Sequence, residues 1–168
     1  MKSKLVSAIA LVALCLAVYA GNALATGGTG FSGITVAKAT FGNISSHVLE
    51  MTPQFWNEVI QTRGASDLYV QQNTWQRGGS TGWHTHPGPS FVIVTEGSVT
   101  VYEGDDASCT PHVYTANTSN NSFVDIGGGD VHLIRNETGA EAKTMAIQFV
   151  PAGATRRVDA PDPGHCSF

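Results

Sequence analysis

Three histidines carry the strongest chemical signal in this chain. The stretch "WHTH", residues 83 to 86, places His84 and His86 two positions apart. On a strand, successive side chains point to opposite faces, so both rings fall on the same side. Two imidazoles so placed can chelate one divalent ion, each at about 2.0–2.1 Å. A third, His132, follows "GGGDV", where glycine lets the backbone turn sharply before "HLIRN". On that second strand His132, Ile134 and Asn136 share a face. The other histidines carry less. His112, three residues after Cys109, is expected at the surface of a loop, and His47 and His165 are given no role.

The elements that must position these rings read mostly as strands. "DLYVQQNTW" is rich in β-formers, and "SFVIVTEGSVTVYEG" is two apolar runs about a Glu-Gly turn, a hairpin signal. "SFVDIGGGDVHLIRNE" and "KTMAIQFVPAG" add short strands, and "ITVAKATFGNI" predicts another with a turn at Gly42. A short N-terminal helix is signalled by Thr52 as cap, Pro53 at the first position and Gly64 as terminator. Many short strands at close spacing predict an all-β sandwich or barrel, jelly rolls among them. Trp83 and Thr85 alternate with the histidines and face the other way, Trp83 into packing. If Ser90 faces the site, Val92 and Val94 line the same interior and supply an apolar wall.

The chain opens with "MKSK", an apolar run, and "ALA" at 23 to 25, the pattern of a cleavable signal peptide over residues 1–25. A permanent membrane anchor is the rival reading of that run. Export to the periplasm or beyond the cell is expected, with no stable anchor after cleavage. Residues 26–33, "TGGTGFSG", read as a flexible leader, and 34–168 as one domain. The formal net charge is −4 and becomes more negative when Lys2 and Lys4 leave with the signal. That balance, without a basic run, argues against nucleic acid and anionic membranes as partners. Cys109 and Cys166 remain. In an oxidising compartment they are expected to form one disulfide pinning the C-terminal tail, two free thiols being the alternative. Such a bridge is worth about 4 kcal/mol by loop-closure entropy. The sequons at Asn43, Asn117 and Asn136 are read as chance.

Two stretches together resemble the cupin superfamily. "GGSTGWHTHPGPSFVIVTEG", from Gly78 six residues before His84 to Gly97, is similar to the first cupin motif. "GGGDVHLIRN", residues 127 to 136, is similar to the second, with Gly129, His132 and Asn136 in register. The resemblance implies a compact antiparallel jelly-roll barrel (a double-stranded β-helix) of roughly six to eight strands. It also implies a mononuclear centre on His84, His86 and His132. The departures are specific. The family's glutamate ligand falls on Ser90, its motif-two proline on Gly127 and that motif's first glycine on Asn121. Gly127 reads as benign, a loosened turn. Ser90 does not, because a neutral hydroxyl on a short stem is a poor ligand at that reach.

Three readings of Ser90 stay open. The centre is a neutral three-histidine site with open positions, similar to the three-histidine iron cupins such as cysteine dioxygenase and the diketone-cleaving dioxygenases. Or a carboxylate or amide from another strand substitutes, with Gln72, Asn73, Asp130 and Gln148 as candidates. Or the histidines form a metal-free pocket. Asp130 has a further candidate role, orienting a ligand imidazole through its distal N–H. The expected cofactor is one divalent transition metal ion: Fe, Mn, Zn or Cu. Oxygenase chemistry needs a redox metal, whereas the affinity order outside the cytoplasm favours copper and zinc. Two functions follow. One is a metal-dependent, dioxygenase-like enzyme on a small oxygen-rich substrate. The other is a non-catalytic module that captures a small ligand or a metal. A secreted structural domain is a third reading, and a homodimer is compatible with each.

Overall fold

The computed structural model describes residues 25–50 and 56–168. The expected signal peptide lies outside the described residues except for its last position, Ala25. Every regular element among them is a strand: β1 (Thr29–Phe41), β2 (Ser45–Glu50), β3 (Trp56–Gln61), β4 (Ser66–Ser80), β5 (His84–Thr85) and β6 (Ser90–Glu96). The series continues with β7 (Ser98–Glu103), β8 (His112–Thr115), β9 (Ser122–Asp125), β10 (His132–Arg135), β11 (Ala142–Pro151) and β12 (Val158–Asp159). Ten of them form one antiparallel sheet curled into a nearly closed jelly-roll barrel, with more strands than the resemblance implies.

The long strand β4 is the spine. It pairs with β1 along one edge and with β11 along the other, and β11 passes on to β6 and then β9. At the other end, β10 pairs with β7 and with β5, setting His132 directly across from His84. Two candidate ligands are thus cross-strand neighbours, although they stand 48 positions apart in sequence.

Period-two alternation sorts the apolar side chains into two clusters. Trp75, Val94, Val99, Val101, Ile134 and Ala142 fill the barrel interior, with Phe31 and Phe123 packed against them. Their sequence neighbours Tyr102 and Leu133 turn outward, joining Trp83 and Ala160 in a second cluster. Trp83 thus faces away from the histidines, as its place in the alternation predicts, and the structure makes it core instead of surface. Cys109 and Cys166 cover this outer cluster and are joined by a disulfide, their Cα atoms 5.4 Å apart. The C-terminal tail is held as expected. Because the bridge spans 57 positions, Cys166→Ala should lower unfolding stability by about 4 kcal/mol, read by urea denaturation against the oxidised wild type. A loss under 1 kcal/mol would refute this.

Three expectations are corrected. The Glu-Gly turn closes no hairpin, because β6 pairs with β11 and β9 while β7 pairs with β10 and β8. Residues 26–33 do not form a flexible leader: Thr29–Gly33 belong to β1, and Thr26 is tied down on both sides. Its N–H donates to the Ala160 carbonyl at 3.0 Å, and its hydroxyl accepts the Trp83 N–H at 2.6 Å. Gly33 suits this strand because a Cβ there would collide with the side chains of Gln71 and Asn73. The predicted helix from Thr52 also fails where it can be seen. Trp56–Gln61 is strand, paired residue for residue with Ser45–Glu50. Trp56, Val59 and Ile60 are β-formers, and the pairing overrides the local cap signal. This hairpin exposes Leu49, Trp56 and Val59 to more than half of their full extent.

Candidate metal centre

His84, His86 and His132 come together as their spacing predicts. One ring nitrogen from each lies within 4.8 Å of the other two, and the ring centroids are 4.3 to 5.4 Å apart. His84 and His132 are buried and His86 nearly so. The surrounding backbone fixes two of the tautomers. His84 Nδ1 donates to the Gly82 carbonyl at 2.9 Å and His86 Nδ1 to the Arg156 carbonyl at 2.6 Å. In both rings this leaves the Nε2 lone pair free to face a shared point, the usual arrangement of metal-binding imidazoles. Gly82 can present its carbonyl because its φ of 70° is a left-handed conformation, and a Cβ there would strike the Thr26 carbonyl.

Burial is also what keeps the cluster uncharged. It drives the His84 pKa down to about 2, with the neighbouring His132 and Arg157 charges adding to the effect. His132 and His86 are lowered for the same first reason, opposed in each by the Asp125 carboxylate. Neutral imidazoles are the form that binds a cation. Opposite His132 across the β7 ladder, burial and nearby Asp130 and Asp125 push Glu103 up to about 7.

The rings line a cavity of about 250 Å³ inside the barrel. Ser90, Val92, Ile134 and Gln148 share its wall, so the alternation along β6 holds: Ser90, Val92 and Val94 are buried while Phe91 and Ile93 are exposed. Arg156 and Arg157, from the loop between β11 and β12, also reach the cavity. The Arg156 guanidinium is held by Gln71 at 2.6 Å and stacks over Tyr69, and Arg157 donates to the Thr81 carbonyl at 2.6 Å.

The other predicted residues divide. Ser90 and Gln148 are neighbours at the site, the Gln148 amide donating to the Ser90 hydroxyl at 3.2 Å. Asn73 lines the cavity together with Gln71, whereas Gln72 between them does not, as alternation along β4 requires. Asp130 stands half-buried in the turn before β10 and does not line the cavity. The carboxylate that does is Asp125, the last residue of β9, which sequence reasoning missed. Its Oδ2 lies 3.4 Å from His86 Nε2 and its Oδ1 3.7 Å from His132 Nδ1. His112 is exposed, although it begins strand β8 instead of lying in a loop.

The residues present fit a divalent cation. Asp125 Oδ2 and His132 Nδ1 are both buried without a hydrogen-bond partner, and both belong to this one cluster. Two orphaned polar atoms beside two free imidazole lone pairs form a donor set that one ion would satisfy.

No protein-family model matches the chain, and no curated protein sequence does. Solved structures align over part of the barrel. The polyketide cyclase RemF from Streptomyces resistomycificus aligns at 18% identity over 57% of this chain and 64% of its own, with a TM-score of 0.45. A cupin-like protein from Thermotoga maritima aligns at 20% identity over 56% and 65%, with a TM-score of 0.44. Peruvianin-I, a cysteine peptidase from Thevetia peruviana latex, aligns at 22% identity over 56% of each chain, with a TM-score of 0.44. The chain thus spans little more than half the length of Peruvianin-I.

Proposed function

We propose that this chain is an exported cupin that holds one divalent transition metal ion on His84, His86 and His132 and takes up a small, oxygen-rich, anionic molecule beside it. The observation that carries the reading is the convergence of three buried, neutral imidazoles at the wall of one cavity. Arg156 and Arg157 bring positive charge to the same space and favour an anion there. Val92, Phe31 and Ile134 supply the apolar wall that lowers the local dielectric. Export is supported by the amino-terminal apolar run and by the disulfide, which persists in oxidising compartments.

A bound ion would supply Lewis acidity to a coordinated oxygen or, if redox-active, an electron. In its stronger form the proposal is an oxygenase-type enzyme. The histidine tautomers, fixed by Gly82 and Arg156, orient the ligand set, and the two guanidinium groups orient the anion. The test is metal analysis of protein purified from its own compartment. One ion per chain is expected, and His84→Ala should weaken metal affinity by at least about a hundredfold. Finding no stoichiometric metal, together with unchanged stability in chelator, sinks the proposal. Oxygen uptake that depends on the three histidines supports turnover. A bound metabolite recovered unchanged supports a capture module in its place.

A further inference from the structure

The family pattern places a glutamate where this chain has Ser90 and a proline where it has Gly127. Those two departures meet at one residue. Ser90 on β6 pairs directly with Asp125 on β9, so the two side chains stand side by side on the cavity face. The Ser90 hydroxyl is occupied by the Gln148 amide and leaves the space toward the histidines to its neighbour. We propose that Asp125 is the carboxylate ligand of this centre, taking over from the lost glutamate, and that Gly127 holds it in place. The inference rests on the metal reading above and deepens it.

Asp125 is only 7% exposed. One carboxylate oxygen, Oδ1, accepts the Gly127 N–H at 2.9 Å. The other, Oδ2, is buried with no hydrogen-bond partner. Among the described residues no lysine or arginine forms an ion pair with this group. Its neighbours are His86 Nε2 at 3.4 Å and His132 Nδ1 at 3.7 Å. A carboxylate buried in this way is costly unless a cation joins it. The spacing suits one. Two donor atoms 3.4 Å apart, each about 2.1 Å from an ion, subtend an angle of roughly 110°, near tetrahedral.

Gly127 is then not the benign loosening of a turn that its sequence position implies. Its φ is 66°, whereas proline is confined to about −65°. Proline also has no N–H to offer Asp125 Oδ1. A Cβ at position 127 would in addition collide with the Gly88 carbonyl. The glycine and the serine form one device, by which the carboxylate is carried from β6 to the strand beside it.

The full chain, stripped of metal, is titrated with zinc(II) by calorimetry and with cobalt(II) by visible absorption. Wild type is expected to bind one equivalent of each. Asp125→Asn keeps the shape and the Gly127 hydrogen bond but loses the charge, and affinity should fall by about thirtyfold or more with an altered cobalt spectrum. In the background of Asp125→Ala, adding Ser90→Glu should return affinity to within about fivefold of wild type, a gain that misfolding cannot imitate. If Asp125→Asn binds with wild-type affinity and spectrum while His84→Ala does not bind, Asp125 is only a pairing partner of His86 and the inference is overturned with the metal reading intact. Wild type that takes up neither ion overturns both.

Discussion

Asn136→Ala is expected to lower the unfolding free energy by about 3 kcal/mol, a large fraction of the stability of many small domains. The side chain has no exposed surface, and its hydrogen-bonding capacity is spent within the fold. Its amide donates to the carbonyls of Trp75 and Gln76 at 3.2 Å and of Ala140 at 2.7 Å. Its oxygen accepts the Thr138 N–H at 3.0 Å and hydroxyl at 2.7 Å. One side chain thus joins β4 to the turn between β10 and β11. Alanine removes all of these bonds, and the buried Trp75 carbonyl left without this partner costs about 1–3 kcal/mol, whereas Gln76, Thr138 and Ala140 are exposed to water. Equilibrium urea unfolding of the variant measures it. A loss below 2 kcal/mol would mean that water reaches the Trp75 carbonyl and satisfies it. The same burial excludes glycan attachment at this sequon in the folded protein.

The second large effect is acid sensitivity of the metal-free protein. A histidine whose pKa is lowered on folding binds fewer protons folded than unfolded, so its contribution is complete above the ordinary value near 6.5 and is lost as pH falls. For His84, lowered to about 2, the loss at pH 4 is about 3 kcal/mol. His132 and His86 are lowered too and add in the same direction. Glu103 acts oppositely. Its raised pKa makes the fold more stable as pH drops from about 7 toward 4.5, so the net loss is steepest below about pH 5. Urea unfolding in chelator from pH 7 to pH 4 tests this. A profile as flat as that of a His84→Asn variant would show that the cluster is already protonated or hydrated in the fold.

The two predictions depend on different kinds of information in the chain. The alternation of apolar and polar residues around "FVIVTEGSVTVYE" and "VHLIRN" is local, and local periodicity is enough to announce strands and to say which residues share a face. That is why His84, His86 and His132, the wall residue Val92 and the outward turn of Trp83 away from the histidines were legible, whereas Val94, read as wall, packs in the core. Cys109 and Cys166 are the two cysteines that follow the expected signal peptide, so the tie between them was legible as well. The N-terminal segments were not. A cap signal at Thr52 and a glycine-rich run at 26–33 describe what an isolated chain prefers. Pairing of Trp56–Gln61 with Ser45–Glu50, and of β1 with β4, overrode both preferences.

By itself, then, the sequence determined an all-β fold, two of the three imidazoles on one strand face and a serine where the resemblance expects a glutamate. Only the tertiary structure decided what stands in the glutamate's place. Asp125 carries no local mark that separates it from Asp130 five residues later. It reaches the histidines because β9 pairs with β6 in the register that sets Asp125 against Ser90, and because Gly127 turns its N–H back onto the carboxylate. Register between strands far apart in sequence is set by the closure of the whole barrel, and no short window of residues contains it.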